Sequence, residues 1–172
     1  IQPKSWIFLC VNLIYIREVK KTEILDKEFG IIREYITHQE KENLKISKAN
    51  VGWHLDHSLK VVNNVLESLK NSNSDDYKKN FNGMRLFAFT IGFFPRGKAK
   101  APKRVLPPEV ILKEDIENQL EKAVRNFETI DSLKENQFFT HPVFQQLNKK
   151  QTIKFLRLHT NHHLKIVRDI VR

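Results

Sequence analysis

Apolar residues recur with a helical period over four stretches of the chain. From about Thr22 to Asn43, Leu25, Phe29, Ile32 and Ile36 follow one another at steps of four, three and four, which predicts a helix with Thr22 as a cap. A second helix is announced by Asn50 as N-cap, and its main buried face is Val51, Leu55, Leu59, Val62, Leu66 and Leu69. The polar run Asn71-Ser72-Asn73-Ser74-Asp75-Asp76 ends it. A third runs from roughly Lys113 to Leu133 with Ile116, Leu120, Val124 and Phe127 on one side, and Glu114 and Asp115 suit the positive end of its dipole. The fourth begins near Lys149 or Lys150 and continues to Arg172, with Leu156, Val167 and Ile170 on one side. Four amphipathic helices joined by loops predict an all-α four-helix bundle with one long excursion between the second and third.

Within that excursion, from Tyr77 to Pro108, no helical period is sustained. Phe81, Phe87, Phe89, Phe93 and Phe94 supply aromatic mass, and Gly92, Pro95 and Gly97 punctuate it. Arg96, Lys98, Lys100, Lys103 and Arg104 make it basic without an intervening acid. A connector this long is expected to wrap the body or to carry function. Basic loops with aromatics can bind nucleic acid; the alternative is a solvated loop whose Phe side chains belong to the core. Ahead of the last helix stands Phe138-Phe139-Thr140-His141-Pro142-Val143-Phe144, where Pro142 disfavours helix at His141. At the other end, Trp6 to Ile16 is apolar except for Asn12, yet shorter than the ~20 residues a bilayer requires. Arg17-Glu18-Val19-Lys20-Lys21 follows it, not a small-residue cleavage site. Residues 1–21 are therefore set apart as an apolar extension, expected to pack or to be dispensable, with a membrane-proximal anchor as the competing reading; residues 22–172 form the domain.

Lys and Arg number 30 against 20 Asp and Glu, for a net charge of +10. That balance favours association with nucleic acid, anionic lipid or acidic small molecules, and says nothing about chemistry. The single cysteine, Cys10, excludes an internal disulfide and a zinc site built from several thiolates. Placed in an apolar run, it is expected to be a small buried hydrophobe and not a nucleophile. Any metal must be held mainly by histidines and carboxylates.

At ~100° per residue, His159 and His163 fall inside the apolar stripe of the last helix, and His162 sits on its flank. Two imidazoles at i and i+4 can converge on one cation, or they can be a hydrogen-bonded structural pair; a metal would need a third ligand from elsewhere. On the second helix, His54 borders the stripe in line with Val61 and Val65. His57 falls about 40° beyond Val61, which places it in solvent. Asp56 and His38 are likewise expected to be exposed. No H-E-x-x-H glutamate is present, so no general base is assigned and catalytic residues stay unknown.

Asn50-Val51-Gly52-Trp53-His54-Leu55-Asp56-His57 resembles the second-helix motif of the DinB-like, YfiT-type superfamily, in which a ligand histidine follows a small polar cap by seven residues. His159-Thr160-Asn161-His162-His163-Leu164 looks like the H-x-x-x-H motif of its fourth helix. The run from Phe94 to Pro102, and His141-Pro142-Val143-Phe144, are similar to one branch described only as a domain of unknown function. The resemblance spans roughly residues 22 to 172 and rests on the histidines and the two loop motifs together. Two positions depart from it: Gln145 stands where the branch often has glycine, and Ile166 where glutamine is common. Both are expected beside the site, where they bear on the substrate more than on the metal.

The resemblance implies a four-helix bundle with a divalent metal on His57, His159 and His163, against the helical-wheel reading of His57. His54, His141 and His162 are candidates for a fourth ligand, proton transfer or support of the ligands. Family members with known activity include metal-dependent hydrolases and thiol S-transferases using bacillithiol or mycothiol. What is expected is thus a bacterial, cytoplasmic metal-dependent enzyme acting on a small molecule, with zinc or nickel ahead of iron or manganese, and with a low-molecular-weight thiol as a further cofactor. Arg96 and Lys98 would contact an anion or the carboxylates of such a thiol. Nucleic acid is not the expected partner, no transmembrane helix is expected, and a homodimer is allowed. The competing classes are a non-catalytic basic module that binds nucleic acid or an anionic surface, and a metal-binding scaffold without turnover.

Overall fold

The computed structural model describes residues 25–92, 94, 96 and 102–172. The N-terminal run with Cys10, the Thr22 cap, Phe93 and Lys98 lie outside them. Among the described residues there are five α-helices and one two-stranded hairpin: α1 (Asp26–Tyr35), α2 (Val51–Lys70), α3 (Gly83–Ile91), α4 (Lys113–Glu128), β1 (Phe138–His141), β2 (Gln145–Asn148) and α5 (Lys149–Val171). Helix α2 packs on α4 and α5, and α1 packs on the same two helices. The hairpin lies against α2 and α5, and α3 against α5. No described helix is long and apolar enough to cross a membrane.

The apolar stripes read from the sequence form the core. Leu25, Phe29, Ile32 and Ile36 are buried, as are Val51, Leu55, Leu59, Val62, Leu66 and Leu69, and Leu156, Val167 and Ile170. Helix ends differ from the period. Helix α1 stops at Tyr35 and tightens into a 3-10 turn at Ile36–His38, because the chain must then turn to bring Gln39 and Lys41 to the start of α2. Helix α4 stops at Glu128, and buried Ile130 in the next 3-10 turn prolongs the apolar period beyond the helix itself.

The excursion between α2 and α4 contains a helix that periodicity does not reveal. Helix α3 is capped by Asn82, whose side chain accepts the Arg85 N–H, and it ends on Gly92 at φ +68°, a left-handed conformation glycine adopts without steric cost. Its buried residues are Arg85 and Ala88, while Met84, Leu86, Phe87 and Ile91 face solvent, so burial runs opposite to hydropathy. Phe81 and Phe87 are not core residues: they are 83% and 62% exposed. Arg85 ties α3 to the hairpin. Its guanidinium donates to Asn80 Oδ1 at 2.9 Å, to the Asn80 carbonyl at 2.6 Å, and to the carbonyls of Phe144 and Gln146 at 3.2 Å each.

The hairpin pairs Phe138 with Asn148 and His141 with Gln145 in antiparallel register, leaving Pro142, Val143 and Phe144 as its loop. His141 Nδ1 accepts the N–H groups of Val143 and Phe144 at 3.1 Å each, so the imidazole itself closes the turn. Gln145 then adopts φ +60°, the left-handed residue that follows a three-residue hairpin loop. A side chain there costs about 1 kcal/mol relative to glycine. This is why glycine suits the position where Gln145 departs from the resemblance.

Candidate metal centre

The site is set by how α2 begins. The first N–H groups of a helix have no partner inside it. Here Val51 N–H donates to the Lys41 carbonyl at 2.9 Å, Gly52 N–H to the Gln39 carbonyl at 2.8 Å, and Trp53 N–H to Asn50 Oδ1 at 2.9 Å. Gly52 permits this approach: a Cβ there would lie 3.2 Å from the Gln39 oxygen and 3.3 Å from its Cβ. With the first turn fixed by distant backbone, His54 and His57 project toward α5. Helix α5 is fixed locally, by a capping box in which Asn148 Oδ1 accepts the Gln151 N–H and Gln151 Oε1 accepts the Asn148 N–H.

His57, His159 and His163 meet where the two helices face each other. One nitrogen from each lies within 4.8 Å of the others. Ring centroids are separated by 4.8 Å for His57–His163, 4.7 Å for His159–His163 and 5.3 Å for His57–His159. His57 is 4% exposed, which corrects its placement in solvent. The helical wheel of α2 sees one apolar face, but a second contact face, made by the excursion and α5, covers His57. Asp56 is corrected too, at 1% exposed, with Gln119 donating to Oδ1 and Lys60 Nζ 2.8 Å from Oδ2. It braces α2 against α4 and does not join the histidines.

Hydrogen bonds assign ring nitrogens. A carbonyl oxygen only accepts, so His57 carries its proton on Nδ1, 2.8 Å from the Val105 carbonyl, and its Nε2 lone pair is free. His163 has Nδ1 occupied, 3.0 Å from His54 Nδ1, which leaves Nε2 for the cluster. His159 Nδ1 is buried and has no hydrogen-bond partner among the described residues. A buried unpaired nitrogen costs ~1–3 kcal/mol, and a shared cation is one partner that would remove the cost. Trp53 stacks on His57 at 4.9 Å and 19°, closing one side.

All these imidazoles are held neutral. Burial is the main cause for His57, His159 and His163, and the neighbouring histidines add to it for the two on α5. The Val105 carbonyl works against the shift at His57. Burial, then the His57 charge, lowers His54 to about 4. Neutral imidazoles have the lone pairs a divalent cation requires. The cluster contains no carboxylate among the described residues, so a bound cation would keep its full positive charge.

The other sequence candidates fall at graded distances. His54 adjoins the cluster through His163. His162 borders it, 5.1 Å from His163 and edge-on to Phe94. His141 packs on Phe155 at 4.8 Å, Phe155 in turn lies 5.7 Å from His159, and the His141 Nδ1 serves the hairpin. Arg96 pairs with Asp169 at 2.6 Å, and this bond holds the Asp169 carboxyl below its usual range. His38 is half-buried beside Tyr35, which corrects its expected exposure, and it is not one of the converging histidines. Three contributors carry no signal of their own in the sequence: the Val105 carbonyl, Trp53 as a stacking wall, and Ser47, which bonds His54 Nε2 at 3.0 Å. Two surface clefts, one including Phe29, Val124 and Phe127 and the other Leu66, Lys122 and Asn126, contain no histidine.

Fold and site together define a mostly helical protein with three buried or half-buried histidines close enough together that they could hold one metal ion. The family model described as protein of unknown function (DUF1569) matches residues 77–170, just over half of the chain, and the chain belongs to that family. The match includes His159 and His163 and stops short of His57. No curated protein and no solved structure matches the chain.

Proposed function

We propose that this chain is a divalent-metal-dependent enzyme of the DinB-like type, acting on a small molecule as a hydrolase or a thiol S-transferase. Helices α1, α2, α4 and α5 are read as its four-helix bundle, with α3 and the hairpin added to it; their mutual packing supports this reading. The observation that carries the metal site is the convergence of His57, His159 and His163 within 4.8 Å from two helices far apart in sequence. A three-histidine shell suits zinc or nickel ahead of iron or manganese. Bound there, the cation would supply Lewis acidity toward water, a thiol or a carbonyl.

The protein's own groups orient and enclose. Val105 fixes the His57 tautomer, Trp53 covers its face, and a shell of three histidines, with no carboxylate joining it among the described residues, would leave a position for an anionic substrate atom. For thiol transfer, an acidic thiol would meet Arg96 and Lys98, in competition with the Arg96–Asp169 pair.

Elemental analysis of purified protein beside His57→Ala, His159→Ala and His163→Ala tests the site. About one equivalent in the wild type and none retained by the three variants is expected. Equal metal in wild type and variants would place the ion elsewhere. Turnover of a panel of amide, ester and thiol-acceptor substrates by the loaded wild type, lost in His57→Ala, is the expected result for an enzyme. Stoichiometric metal without turnover across the panel would leave a scaffold.

A further inference from the structure

His54 is buried, is not one of the three converging histidines, and uses both ring nitrogens. Its Nδ1 lies 3.0 Å from His163 Nδ1, and its Nε2 lies 3.0 Å from Ser47 Oγ. Ser47 Oγ in turn accepts the Ala49 N–H at 3.0 Å, and Trp53 packs edge-on to His54 at 5.2 Å. Between two neutral imidazole nitrogens at this distance a single proton is shared, so the chain of bonds runs in one of two directions. In one, His54 Nδ1–H donates to His163, whose Nε2 then carries a proton into the cluster. In the other, His163 Nδ1–H donates to His54, His54 Nε2–H donates to Ser47, and His163 Nε2 presents a lone pair. Only the second direction is compatible with a cation on His163 Nε2.

We infer that His54 is a positioning residue, which accepts the His163 Nδ1–H and passes the hydrogen-bond direction on to Ser47, so that a metal ion selects one of two tautomer arrangements of the His163–His54–Ser47 chain. The inference rests on the three-histidine metal reading. It also separates two ligands that look alike. His57 faces a carbonyl, which can only accept, so its free lone pair is fixed before any ion arrives. His163 faces an imidazole, which can accept or donate, so its lone pair is available in one arrangement and blocked in the other.

Zinc affinity, measured by chelator competition on wild type, His54→Leu and His54→Asn, tests it. The Asn side-chain oxygen falls near the place of Nδ1 and still accepts. His54→Leu is expected to bind zinc about 10- to 100-fold more weakly, as loss of a ligand's hydrogen-bond acceptor does elsewhere, and His54→Asn to recover most of that loss. In the zinc-loaded wild type, nitrogen-15 NMR should show the His163 proton on Nδ1. Equal affinity in Leu and wild type, or an Asn variant no better than Leu, overturns the inference while leaving the metal site standing. A wild type that takes up no zinc overturns both. Should the Leu variant fail to fold, as read by circular dichroism, the Asn variant and the NMR tautomer decide: a His163 proton on Nε2 overturns the inference.

Discussion

Helices α2 and α5 both deliver histidines to the same point, and they are positioned by opposite means. Helix α5 starts from a capping box made by its own residues, and His159 and His163 stand one turn apart on one face. Helix α2 is aimed by distant backbone: the carbonyls of Gln39 and Lys41 take its first N–H groups, and the Val105 carbonyl turns the ring of His57. Histidine spacing on α5 is thus a local property of the sequence, whereas His57 on α2 is in place only once three separate segments have docked. The lesson is that the same donor chemistry can be robust on one wall of a site and conditional on the other.

The largest effect expected is on the pH dependence of the metal-free protein, where both walls carry strained neutrality. Burial holds His54 and His141 at about 4, and His159 and His163 well below the ordinary 6.5. As pH falls from 6.5 toward 4, the unfolded chain takes up protons that the folded chain refuses, so stability declines with falling pH. His54, lowered to about 4, contributes up to about 3 kcal/mol to that decline, and half-buried His141 contributes less because solvent screens it. Urea melts between pH 7 and 4 should show it, with His163→Asn and His54→Asn each flattening the profile. A flat wild-type profile would mean the folded histidines titrate normally.

Next in size is Gly52→Ala, which pushes a methyl against Gln39 and disturbs α2 alone. A loss of about 1–3 kcal/mol is expected, typical of overpacking, together with weaker zinc binding because His54 and His57 shift with the turn. Unchanged zinc affinity in a destabilised variant would show that the start of α2 does not set the site. Smallest is Asn148→Ala, which removes the cap of α5 about 16 Å along the axis from His159. It should cost about 1 kcal/mol in thermal or urea unfolding and leave zinc affinity as it was. A matching loss of affinity would erase the distinction between the two walls.

That distinction also explains what could be read from the residues. The stripes of α1, α2, α4 and α5 are legible because each buries one face against its neighbours, and His159 and His163 are legible because both lie inside such a stripe. His57 and Asp56 defeat the helical wheel, since α2 is covered on a second side by the excursion, α4 and α5, and only the motif resemblance brings His57 into the ligand set. Helix α3 is hidden for the converse reason: Arg85 faces inward while Met84, Phe87 and Ile91 face out. The hairpin is signalled by little more than Pro142, with its turn made by a histidine in place of the usual small polar residues.

The Val105 contact has a consequence for anyone scanning this protein by substitution. Because the group that orients His57 belongs to the main chain, a residue of any type at position 105 carries the same carbonyl oxygen. Alanine at position 105 would register only the lost packing of a buried side chain, and the oxygen that orients His57 would stay in place. The segment's contribution would surface only in a deletion, a backbone ester, or a change that moves the whole turn.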